Sequence, residues 1–174
     1  MKKLLFLSIA LVTATIAFAQ SSLEISRDNE NFSKVLKGIF TQKELATDTA
    51  FSWYSQAKKS FTPNAEVVKQ YAAGKDGLSF LVFGGTWCDD TKHLMPNFLL
   101  TADAAGVPAN HITLIGVDRA KKSLFNLTET FNVSLVPTII VLKEGKEIGR
   151  VVEYGRIGMP EKEVAEIITK AGKK

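Results

Sequence analysis

Cysteine is nearly absent from this chain of 174 residues, where Cys88 stands alone. No disulfide can close within the chain, so the fold has to hold by packing. Histidine is almost as scarce, with only His93 and His111. Neither has a partner at metal-ligand spacing, so no metal site and no cofactor are expected. Charge of one sign is also lacking: 22 Lys and Arg stand against 18 Asp and Glu. They are interspersed, without the basic stripe that phosphate backbones require, which argues against a nucleic-acid partner.

Long apolar runs are missing as well, except at the start. Met1-Lys2-Lys3 is a basic opening, Leu4 to Phe18 is apolar, and Ala17-Phe18-Ala19 has the small-x-small form of a cleavage site before Gln20. This is the pattern of a bacterial signal peptide, residues 1–19, removed after Ala19. Gln20 is not a cysteine, so lipoprotein attachment is excluded. The expectation is a periplasmic or secreted protein with no stable membrane span after cleavage. Loss of Lys2 and Lys3 lowers the formal charge from +4 to +2, and about 155 residues remain for one domain.

Residues 20–61 are polar and read as an N-terminal helical extension. Thr41-Gln42-Lys43-Glu44 is a capping-box pattern, and Phe51, Trp53 and Tyr54 are candidate anchors onto a core. Residues 50–58 are open between helix and strand, because their aromatics favour one and Gln56-Ala57-Lys58-Lys59 the other. From residue 62 to 174 the periodicity sharpens. Thr62-Pro63 reads as a helix start and Gly74 as its end, followed by a buried strand, Leu78 to Phe83, and Gly84-Gly85. A helix beginning near Cys88 carries Leu94, Met95, Phe98, Leu99 and Ala102 on one face, with Pro96 as a kink. Ile112 to Val117 is a second apolar strand, and residues 122 to 131 read as helical. Pro137 to Leu142, a turn at Lys143 to Lys146 and a strand from Glu147 to Tyr154 form a hairpin. A last helix over Pro160 to Ala171 can pair Glu166 with Lys170.

Cys88 lies between the apolar strand and a helix start, where unpaired N–H groups and the positive end of the peptide dipoles favour a thiolate. A small buried hydrophobe is the alternative role for such a residue. Asp89 and Asp90 tune the thiol in the opposite sense, since carboxylates beside it oppose ionisation, unless they serve only the helix dipole. Trp87 offers a flat apolar contact for a substrate or packs against the strand end. His93, five residues on, points away from the sulfur and reads as a surface residue. Three Asn-x-Ser/Thr triplets, at Asn31, Asn126 and Asn132, carry little weight behind a bacterial leader.

Trp87-Cys88-x-x-Thr91-Lys92 after an apolar strand, Pro96 eight residues beyond the cysteine, Val136-Pro137-Thr138 and a turn at Gly145 together resemble the thioredoxin-fold family over about residues 62–172. The resemblance implies a three-layer α/β/α sandwich with a central mixed β-sheet, and a cis bond before Pro137 that faces Cys88. It places the family's second cysteine on Thr91 and its buried carboxylate on Val82. It therefore implies a monothiol variant that forms mixed disulfides with protein or peptide thiols and disulfides, to be released by an external low-molecular-weight thiol or reductase. In this reading Cys88, Thr91 and Pro137 make up the catalytic centre, with Trp87 and Val136 contacting substrate. The alternative is a redox-inactive module whose groove, between Trp87 and Val136-Pro137, holds an extended peptide.

Overall fold

The run Leu78–Gly84 forms β3, and each of its faces meets a different core. The computed structural model describes residues 21–172; the expected signal peptide, residues 1–19, lies outside the described residues. Phe80 and Val82 are fully buried on one face of β3 and Phe83 on the other. Burial on both sides is what an uninterrupted apolar strand in the middle of a sheet requires. β3 pairs in parallel with β4, Ile112–Gly116, and antiparallel with β5, Thr138–Lys143. β5 returns through the expected turn, with Gly145 at φ +78°, into β6, Lys146–Val152.

The N-terminal part differs from the expectation of a helical extension over 20–61. Leu23–Arg27 and Lys34–Phe40 are strands, β1 and β2, and the sheet has six strands in the order β1-β2-β4-β3-β5-β6. Leu36 and Phe40 alternate into one core while Val35 enters the other. Lysines 34 and 37 break the apolar run, which hides this alternation in the sequence. Helices follow only after β2. α1, Gln42–Thr47, starts at the expected capping box, with Thr41 as N-cap. Ser52–Ser60 is α2, so the open segment 50–58 is helical. Phe51 and Tyr54 join the core of Phe80 and Phe98, and residues 20–61 are thus built into the domain instead of lying on it.

α3, Ala65–Gly74, is capped by Asn64, not by Thr62. The Asn64 side chain accepts from the N–H groups of Glu66 and Val67, a role its short amide fits well. α4, Asp89–Ala104, continues through Pro96 as one element, and α6 spans Pro160–Ala171 as expected. Between residues 122 and 131 the only α-helical piece is α5, Leu127–Thr130, preceded by a tight turn at residues 124–126. Residues of α1, α2, α3, α4 and α6 cover one face of the sheet. Leu127 and Phe131 cover the other beside Phe83, Ile115 and Ile140. The result is a mixed α/β domain of three layers, with one helical layer reduced to α5 and its turn.

β3 and β4 run parallel, so their carboxyl ends lie together, and sites in open α/β sheets form beyond such ends. The two strands end at paired glycines, Gly84 opposite Gly116. Gly116 also faces Gly38 on β2, where a Cβ would lie 2.0 Å from the Leu36 carbonyl oxygen. That obstacle is backbone and cannot rotate aside. Gly116→Ala should therefore destabilise the protein by about 2–3 kcal/mol and lower its melting temperature by roughly 6 °C, measurable by thermal denaturation. An unchanged melting temperature would mean that β2 does not pack against β4 as described.

Candidate active site around Cys88

Cys88 is the N-cap residue of α4, half-buried at the rim of the smaller core. Its N–H donates to the Gly85 carbonyl at 2.8 Å, and its carbonyl accepts from Lys92 N–H at 3.1 Å. The tight turn at Gly85 thus sets the helix start directly behind the strand end. The thiol is directed at the Val136 carbonyl oxygen, 3.7 Å from the sulfur. The Val136-Pro137 bond is cis, which brings the expected turn against Cys88. Val136 and Pro137 are buried, and the neighbouring Leu135 is exposed.

Thr91 is fully buried one turn into α4. Its hydroxyl accepts the Gly85 N–H at 3.2 Å, so it ties strand end to helix and makes no bond to the sulfur. Val82 is fully buried in the larger core, and no carboxylate takes its place.

The two acids after Cys88 have separate partners. Asp89 has a side chain 92% exposed and pairs with Lys92 at 2.8 Å, which holds its carboxyl below the usual range. Asp90 accepts a hydrogen bond from the Tyr154 hydroxyl at 2.8 Å; donating to that carboxylate raises the Tyr154 pKa. Tyr154 belongs to the loop after β6. Buried Glu163 holds this loop by accepting the Ile157 N–H at 2.9 Å and pairing with Arg156 at 3.2 Å. Arg156 also pairs with Glu166, which the sequence assigns to Lys170. His93 is exposed, and His111 lies at the opposite end of β4 from Gly116. Among the described residues no three His, Cys, Asp or Glu side chains are grouped to hold a metal ion.

Trp87 is only 9% exposed. Its indole N–H donates to the Val117 carbonyl at 2.9 Å, and the Arg119 guanidinium lies over its ring, 4.8 Å from the centroid. The packing role open to it in the sequence is the arrangement seen. Sequence reasoning missed the group that arranges this, the turn between β1 and β2. Asn31 donates from its side-chain amide to the Trp87 carbonyl at 2.9 Å. Thr86 donates to the Lys34 carbonyl at 2.7 Å and accepts the Leu36 N–H at 3.1 Å. Asp28, its side chain 3% exposed, receives Arg119 through Nε at 2.6 Å and Nη2 at 3.0 Å. The contacts span 50 residues or more, and no local pattern announces them.

The Arg119 hydrogen bonds, followed by those from the Asn31 and Glu30 N–H groups, hold the Asp28 carboxyl at about 2 against an ordinary 3.8. A lowered folded-state value means that the ionised group stabilises the fold at neutral pH and loses that effect as pH falls through the folded value. Asp28→Asn should accordingly be less stable than the parent at pH 7, with the difference shrinking below about pH 4 and largely lost by about pH 2. Denaturant titrations across that range check it, and a difference independent of pH would refute the ion-pair account.

The thioredoxin family model matches residues 57–168 of the chain. The thioredoxin of Chlamydia trachomatis serovar D is 38% identical over 74 residues, which cover 42% of this chain and 67% of that protein. The thioredoxin of Chlamydia pneumoniae is 37% identical over 76 residues, covering 44% and 69%. Among solved structures, the thioredoxin of Fasciola hepatica aligns with a TM-score of 0.40 at 22% identity, over 61% of this chain and 91% of that one. The family match takes in well over half of the sequence, from the end of α2 through most of α6, and on that ground the chain belongs to the thioredoxin family.

Proposed function

We propose that the protein is a thiol–disulfide oxidoreductase that works through the single thiol of Cys88. The observation that carries this reading is the thiol of a half-buried cysteine at a helix start, 3.7 Å from the carbonyl of the cis Val136-Pro137 turn. In the reaction the Cys88 thiolate attacks one sulfur of a protein or peptide disulfide. The S–S bond breaks, its electron pair leaves on the second substrate sulfur, and that sulfur takes up a proton. Cys88 then carries the mixed disulfide. Thr91 offers no second thiolate, so an external small thiol, or a reductase, attacks the adduct, returns the electron pair to Cys88 and keeps the other sulfur in a new disulfide.

Treatment with dithiodipyridine should release one thiopyridone per chain and leave a mass adduct on Cys88 that added glutathione removes. Thr91 in the second-cysteine position favours a second reading, a peptide-holding module without turnover. A folded protein that forms no adduct yet retains a peptide would establish that reading and overturn the first. Thr91→Cys separates them further. Cysteine fits the buried space next to Gly84, and the variant should form an internal disulfide under mild oxidation and gain dithiol-dependent reductase activity about tenfold or more above the parent. Absence of that bond in the mass spectrum would remove the geometric basis of the proposal.

We place this chemistry outside the cytoplasm, on the strength of the signal-peptide pattern in residues 1–19. Mass analysis of protein expressed from the full chain in a bacterium should find Gln20 at the N-terminus in the periplasmic or culture fraction. Full-length protein retained in the cytoplasm would refute export.

A further inference from the structure

Three segments that touch the Cys88 helix start or its cis turn each carry an exposed large apolar side chain. Leu135 precedes the cis turn, and Tyr154 reaches Asp90. The third is Phe32, 67% exposed, in the turn between β1 and β2. Its neighbour Asn31 is anchored on the carbonyl of Trp87, the residue before the thiol. That turn lies outside the residues matched by the family model.

The backbone at Phe32 is unusual. Its φ is +57°, in the left-handed region that glycine or asparagine occupies readily and a bulky aromatic rarely does. The turn is held there by many bonds. Asp28 Oδ1 accepts from the N–H groups of Glu30 and Asn31, Ser33 N–H donates to the Asn31 side chain at 3.1 Å, and Asp28 N–H donates to the Ser33 carbonyl at 2.8 Å. A costly conformation that presents an aromatic ring to solvent, in a turn bonded to the residue before the thiol, points to a use for the ring. The charges of this turn are already spent: Arg119 pairs with Asp28 and, at 2.8 Å, with Glu30. What the turn offers a ligand is therefore apolar contact. Trp87, with its face covered by Arg119, cannot offer the same.

Resting on the thiol-exchange reading above, we propose that Phe32 is a specificity-determining residue: it forms a third wall of the Cys88 site and contacts an apolar side chain next to the disulfide of an extended polypeptide substrate. The probe is a peptide whose cysteine is blocked as its thiopyridyl disulfide, flanked by leucines in one version and by serines in another. Attack by Cys88 on the peptide sulfur joins enzyme and peptide and expels thiopyridone, whose absorbance gives the rate. Dithiodipyridine alone serves as the small disulfide.

Phe32→Gly removes the ring at a φ that suits glycine, so the turn keeps its shape and the melting temperature changes little. The variant should react with the leucine-flanked peptide about tenfold more slowly than the parent. Its rates with the serine-flanked peptide and with dithiodipyridine should be unchanged, and Phe32→Leu should recover most of the loss. Equal slowing with all three probes would overturn the proposal, because Phe32 would then only support the Trp87-Cys88 segment. Unchanged rates with all three would overturn it as well. A parent that reacts with none of the probes would overturn the underlying thiol chemistry, and the proposal with it.

Discussion

The arrangement around Cys88 depends on two residues without side chains, Gly84 at the end of β3 and Gly85 directly after it. A Cβ on Gly84 would lie 2.3 Å from the Met95 terminal methyl and 2.7 Å from the Thr91 methyl. One on Gly85 would lie 2.6 Å from the Trp87 ring. The first turns of α4 and the indole therefore occupy space that any other residue would fill. This close approach lets Cys88 cap the helix while its sulfur reaches the Val136 carbonyl of a different segment. Strand end, helix start and cis turn meet at one point because two Cβ atoms are absent.

Much of this junction was legible in the sequence. An apolar strand, a pair of glycines and a cysteine before an amphipathic run are local signals, and local signals survive in a linear reading. The hairpin after Pro137 and the final helix were legible for the same reason. Residues 21–40 were not, because their lysines, serines and acids mask a period of two that only the pairing with β4 makes visible. The Asp28–Arg119 and Asn31–Trp87 contacts were beyond such a reading. Each joins residues far apart in the chain, and neither partner stands in a motif.

The charges near the thiol read differently in sequence and in space. In sequence Asp89 and Asp90 flank Cys88 and set two negative charges against a helix start. In the structure each is engaged elsewhere, Asp89 by Lys92 and Asp90 by the Tyr154 hydroxyl. Across the indole, Arg119 is bound by Asp28 and Glu30, while Lys121 stands 5.6 Å from the ring centroid. Opposite charges close to one another cancel over a few ångströms in a solvated rim. The helix start, with its unpaired N–H groups, and the Val136 carbonyl 3.7 Å from the sulfur are then polar groups at the thiol that have no counter-charge of their own.

Thr91 brings these threads together. Its residue type removes the second thiol that the family resemblance places there, and its hydroxyl takes the Gly85 N–H inside the packed junction. A buried N–H without a partner costs about 1–3 kcal/mol, so the threonine satisfies a group that the strand end would otherwise leave bare. A cysteine sulfur is a weak acceptor and would satisfy that N–H poorly. The threonine is thus more than a missing nucleophile. It ties β3 to α4 at the position where the family resemblance places a second thiol, and Cys88 stands half-buried at the other end of the same turn.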